Sequence, residues 1–119
     1  MFGINKAKRR NLVVSESQNF IKILTDLEQL LAKNDKMAQA EIVQQSLKLL
    51  LSEDIDAFIK SINGINYWGG SGAIWDVVLM DMSVNYTFEM LIVRLITLMQ
   101  KTKTNNGKVK SIKKFLLSS

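Results

Sequence analysis

The chain has 119 residues, 47% of them hydrophobic and 23% charged, with 16 basic side chains against 11 acidic ones for a formal charge of +5. That length suits one domain able to bury about two thirds of the surface it exposes when unfolded, and the composition is that of a folded chain. Cysteine and histidine are both absent, which excludes disulfides, thiolate nucleophiles, Ser-His-Asp and Cys-His catalysis, and zinc sites built on imidazole or thiolate.

The net charge hides a division along the chain. Residues 1–10 carry Lys6, Lys8, Arg9 and Arg10, and residues 101–119 carry Lys101, Lys103, Lys108, Lys110, Lys113 and Lys114, with no acid in either stretch. The residues between them hold all 11 acids against six bases, so basic ends flank an acidic body. Met1-Phe2-Gly3-Ile4 opens the chain without the apolar run of a secretory signal. The most apolar stretch, Phe88 to Met99, is 12 residues long and contains Glu89 and Arg94, shorter than the roughly 20 apolar residues that span a bilayer. A cytoplasmic protein without a membrane span is the expectation.

Residues 5–11 are too polar and basic to bury and read as an arm, with Leu12, Val13 and Val14 settling on the body. Ser15-Glu16-Ser17-Gln18 has the spacing of a capping box, in which Ser15 accepts the Gln18 amide and Gln18 reaches back. Phe20, Ile23, Leu24, Leu27, Leu30 and Leu31 then recur at three- and four-residue steps, the stripe of an amphipathic helix ending near Lys33-Asn34. Asp35 is the expected N-cap of a second helix to about Leu51, with Met37, Ala40, Ile42, Val43, Leu47 and Leu50 inward. The short connection folds the two helices back on each other. Ser52-Glu53-Asp54 starts a third, shorter helix carrying Ile55, Phe58, Ile59 and Ile62, and Asn63-Gly64 stops it. After a glycine turn at Tyr67–Gly72, residues 73–80 read as a helix, with Val77-Val78 leaving a strand open, and residues 81–85 as a break or kink. Tyr86 to about Thr102 is the last long helix. Its apolar residues Phe88, Leu91, Ile92, Leu95, Ile96, Leu98 and Met99 nearly encircle it, which predicts central burial. Residues 104–107 close it, and Val109, Ile112, Phe115 and Leu116 sit at helical spacing in a short basic segment.

These readings give an all-α, single-domain bundle of four to five helices with a glycine-rich turn before the penultimate helix. A basic N-terminal arm occupies residues 1–14, the helical domain residues 15–104, and a basic tail or short amphipathic helix residues 105–119. Whether the wide apolar face of the last long helix is buried within one chain or shared between chains stays open.

The stretch from Tyr67 to Leu79 is the unusual one, holding both tryptophans, one of two tyrosines and half of the six glycines. Glycine-rich turns ahead of helices can cradle phosphate, because free amides point outward at a positive dipole end. Gly69-Gly70-Ser71-Gly72 lacks the lysine and the Ser or Thr of a Walker loop, and its spacing is not that of a dinucleotide fingerprint. The favoured reading is architectural. Gly69, Gly70 and Gly72 let the backbone turn against Trp68 and Trp75, and Asp76 locks the loop by accepting amides from the region of Gly70 to Ala73. As a general acid or metal ligand Asp76 would work with Asp81, but the two stand five positions apart and no third ligand stands out. No catalytic, cofactor-binding or metal-binding residue is assigned.

Glu53, Asp54 and Asp56 form an acidic run that compensation of the helix dipole explains by itself. With Asp26, Glu28 and Glu41 the same residues make an acidic face able to meet a basic protein. The basic ends could contact phosphates of nucleic acid or anionic lipid, although Phe2 and Phe115 are the only aromatics among them and no pattern for reading base edges is evident.

The segment from Phe20 to Met99 resembles a loosely defined family of small, uncharacterised bacterial helical proteins. In these, short helices lead into an aromatic-Gly-Gly-x-Gly-small-aliphatic-x-Asp-aliphatic signature and then a closing helix. The match here is Trp68-Gly69-Gly70-Ser71-Gly72-Ala73-Ile74-Trp75-Asp76-Val77, and both basic ends fall outside it. Some such proteins look like immunity proteins, which bind and block a secreted toxin. The resemblance implies a non-catalytic protein-binding module with a toxin as partner. Glu53, Asp54 and Asp56 are then the expected contact face, since nuclease toxins are commonly basic and opposite charge speeds encounter. The alternative expectation is nucleic-acid or anionic-surface binding through the basic termini.

Overall fold

The computed structural model describes residues 5–118, whose regular structure is entirely helical. In chain order come α1 (Lys6–Ser15), α2 (Ser17–Lys33), α3 (Met37–Leu51), α4 (Ile55–Ile62), the single turn α5 (Ile65–Trp68), a 3-10 turn at Ile74–Asp76, α6 (Met82–Lys101) and α7 (Gly107–Ser118). Among the described residues, the one-turn α5 aside, six helices build the bundle, which corrects the expected four to five. The difference lies at the N-terminal end and in the middle: residues 6–15 are a helix where an arm was expected, and residues 73–80 hold only a 3-10 turn, while α7 is the short amphipathic helix that was one of the two readings of the basic tail. Residues 1–4 of the expected arm, and Ser119, lie outside the described residues.

The segment 6–15 is too basic to bury, yet a surface helix needs only one anchor. Asn5 caps α1 by accepting the Lys8 amide at 2.8 Å, the lysines, arginines and alanine favour helix, and Val13 is fully buried. Because α1 runs to Ser15, the expected capping box does not form. The Ser15 hydroxyl donates back to the Leu12 carbonyl at 2.8 Å, the local bond that competes with capping. Glu16 instead accepts from Asn19 at 2.7 Å and pairs with Lys101 of α6 at 2.9 Å, tying the α1–α2 junction to the far end of the bundle.

Asp35 likewise is not an N-cap. It takes φ of 61° inside the turn between α2 and α3, a left-handed conformation that Asp tolerates better than most residues, and Lys36 occupies the cap without a side-chain bond. Of the inward positions read for α3, Ala40, Val43 and Leu50 are buried, whereas Met37 is exposed. Ser46 is buried in addition, held by the Tyr67 hydroxyl at 2.7 Å and the Ser61 hydroxyl at 2.6 Å. Burial pushes the Tyr67 phenol well above its ordinary range, so it stays neutral.

The core forms where α2 packs on α3 and α6, and α4 on α3. Phe20 of α2 meets Phe58 of α4 edge to face at 5.2 Å. All seven apolar positions of α6 named above are buried. At 20 residues, α6 is long and apolar enough to cross a membrane by length and composition, more than the 12-residue stretch read from sequence. It begins at Met82 because Asp81, not a kink, supplies an N-cap. Its C-terminal end is closed by buried Thr102 and Thr104, and Asn106 then caps α7 by accepting the Lys108 amide at 2.9 Å.

Candidate partner-binding surface

The glycine stretch turns the chain between α5 and the 3-10 turn. Trp68 is buried and donates from Nε1 to the Ile62 carbonyl at the end of α4. Trp75 is half-buried, donates to the Gly69 carbonyl at 2.9 Å and stacks edge to face on Phe115 of α7. Two of the three glycines are demanded by the geometry. A Cβ on Gly69 would lie 2.6 Å from the Ile65 carbonyl oxygen, and Gly72 has φ of +88°. Gly70 has open space around it. The ends of the loop are held by backbone bonds, the Gly69 amide to Ile65 and the Ala73 amide to Gly70, and the Gly72 carbonyl accepts from Gln39 of α3. The loop leads into a single 3-10 turn, whose dipole is too short to hold an anion. Asp76 is exposed and its carboxylate makes no hydrogen bond or ion pair among the described residues, so the expected locking of the loop by that carboxylate is absent.

Beyond that turn the chain is extended at Val77 and alternates: Val77 half-buried, Val78 exposed, Leu79 buried, Met80 exposed. That is the two-residue period of extended backbone. The Leu79 amide donates to Asn85 Oδ1 at 2.8 Å, which pins the segment to the first turns of α6. Met80 is 101% exposed, Met82 87%, Val78 73% and Tyr86 63%. Together with Met90 of α6 and Leu116 and Leu117 of α7, they line an open groove of about 680 Å³. Large apolar side chains thus stay exposed side by side here, and methionine is the most adaptable of them.

One charged side chain lines the groove, and others lie near it. Glu89 lines it, and Asp81 stands between Met80 and Met82. The Ser83 hydroxyl at 2.7 Å and the amides of Val84 and Ser83 hold the Asp81 carboxyl below the usual carboxylate range. Leu117 is shared with a separate cleft lined by Lys110, Lys113, Lys114 and Gln100.

The structure does not bring Glu53, Asp54 and Asp56 to one free face. Asp56 faces Arg10 at 3.4 Å and Lys6 at 3.8 Å from α1. Asp54 caps α4, accepting the Ala57 amide at 3.4 Å, and Glu53 is exposed in the left-handed region with φ of 62°. Among the described residues no three acids gather as a metal-binding group. The basic ends do converge: Arg9 Nε donates to the Lys103 carbonyl at 2.9 Å.

No family model, curated protein or solved structure matches the chain. The surface rests on its own residues. The groove was missed in the sequence because its apolar residues come from a non-helical segment, the first half of α6 and the end of α7, and because reading residues 81–85 as a break cut through the stripe of Met82, Tyr86 and Met90 at four-residue steps. The signal available was Val78-Leu79-Met80-Asp81-Met82, a run rich in large apolar side chains that no helical stripe claims.

Proposed function

We propose that this chain is a non-catalytic protein-binding module that acts in the cytoplasm of a bacterium as an immunity-type protein, binding and neutralising a cognate toxin. What supports protein binding is the groove at residues 78–82, α6 and α7, where large apolar side chains stay exposed side by side. The kind of partner rests on the resemblance around Trp68–Val77. The contact face we assign is the groove in place of the acid trio, because Asp56 is engaged by α1. The test is co-expression with the secreted protein encoded beside it. The expected result is rescued growth and a complex of one copy of each, both lost in a Met80→Ser/Met82→Ser variant. Rescue undiminished by that variant would reject the groove, and a neighbour that neither harms growth nor binds would reject the immunity reading.

A second reading, binding of nucleic acid or an anionic surface, has one observation in its favour. Arg9 joins the two basic ends at Lys103, and Lys6, Arg9 and Lys60 share a cleft. Such contacts would weaken steeply with salt.

A further inference from the structure

Cysteine is absent, so every sulfur in the chain is a methionine thioether. Among the described residues methionine stands at positions 37, 80, 82, 90 and 99, and Met80, Met82 and Met90 all line the groove. Their exposure is graded. Met80 is 101% exposed and Met82 87%, Met90 is half-buried, and Met99 of the core is wholly buried. Met37 is also exposed, at the start of α3 and outside the groove lining. Access governs how readily a thioether is oxidised, so the two methionines at the mouth of the groove are far more open to an oxidant than the one in the core. The backbone around them is pinned, because the Leu79 amide donates to Asn85 and Asp81 caps α6. An oxygen added at Met80 or Met82 therefore meets solvent, and the fold keeps its packing. The groove does not keep its character. Two large apolar side chains become polar, and a partner laid over them has to bury a sulfoxide.

We propose that Met80 and Met82 form a site of reversible oxidation that switches the groove between an apolar and a polar state. In the forward step a sulfur lone pair attacks one oxygen of hydrogen peroxide. The S–O bond forms as the O–O bond breaks, sulfur is oxidised by two electrons, and the displaced hydroxide takes the proton of the new S–OH and leaves as water. In the return step a dithiol supplies two electrons and two protons, the sulfoxide oxygen leaves as water, and the dithiol becomes a disulfide. The consequence for toxin capture rests on reading the groove as the protein-contact face: the reduced groove holds its partner and the oxidised groove releases it.

The test treats the folded full chain with hydrogen peroxide and follows each methionine by peptide mass mapping. Met80 and Met82 are expected to gain one oxygen each before Met90 does, with Met99 unchanged and the circular dichroism spectrum still native. Retention of the protein on a phenyl matrix should fall in step. Incubation with the two methionine sulfoxide reductases, one for each sulfoxide epimer, and a dithiol should restore both mass and retention. Capture of the secreted protein encoded beside this chain should weaken about tenfold or more on oxidation and recover on reduction. Met37→Leu should stay as sensitive to peroxide as the wild type, whereas Met80→Leu/Met82→Leu should show the same retention and the same capture before and after treatment. Oxidation of Met80 and Met82 no faster than that of Met99, sulfoxides that the reductases leave in place, or a fall in retention equally large in the leucine variant would each overturn the proposal. So would capture that is lost in Met80→Ser/Met82→Ser yet untouched by oxidation, a result that leaves the protein-contact reading standing. Capture indifferent both to the serine variant and to oxidation removes that reading and, where the oxidation is selective and reversible, keeps the site.

Discussion

At the scale of single residues, the glycine turn separates demands that look equivalent in sequence. Gly69, Gly70 and Gly72 stand within four positions, but one is fixed by close approach to the Ile65 carbonyl, one by a positive φ, and one by nothing in its surroundings. Gly72→Ala should cost about 1–2 kcal/mol, the usual penalty for a Cβ in the left-handed region. Gly69→Ala should cost at least as much, since the obstacle is backbone, and Gly70→Ala should stay within about 0.5 kcal/mol of the wild type. Urea denaturation of the three variants measures this order directly. The tryptophans on either side were legible as anchors of the turn. The role of Asp76 was not, because its value depended on where the next stretch of backbone went, and that backbone turned away from it.

At the scale of elements, caps decide where helices begin, and they are where sequence pattern and structure diverge. Ser15 and Asp35 carry the right residue types for capping, but α1 extends through Ser15 and the α2–α3 turn takes Asp35 into the left-handed region. Asp81 performs the role that neither of those does. Its carboxylate accepts two amides and a hydroxyl at the start of α6, and α6 carries the exposed Met82 and Tyr86 into the groove. Asp81→Ala should lower the melting temperature at neutral pH, while Asp81→Asn should retain most of it, since an amide oxygen can cap. The pH dependence follows from the depressed carboxyl. Its contribution is present above the ordinary aspartate value of 3.8 and is lost as pH falls through the lower folded value. Melting the wild type and the Asn variant across that range should show the gap between them closing as the pH falls. The long stripes of α2, α4 and α6 were legible because burial on one face repeats at a fixed period. The surface helix α1 was not, since one buried valine makes no stripe.

At the scale of the whole molecule, the charge division reads differently once folded. The basic ends, read as separate from an acidic body, are brought onto it: α1 covers Asp56, and Lys101 covers Glu16. The fold also assembles an apolar strip lined by one acid, Glu89, with a lysine-lined cleft adjoining it at Leu117. No single stretch of sequence contains that strip, because it is built from residues 78–90 and the end of α7. Protein binding through it is the central claim, and a photoreactive side chain placed at Met80 tests it most directly, with one placed at the exposed Gln44 of α3 as the reference position. Irradiation in the producing cells should give one adduct of defined mass from position 80, that of one chain with its toxin, and none from position 44. Equal adducts from both positions, or none from position 80, would contradict the account.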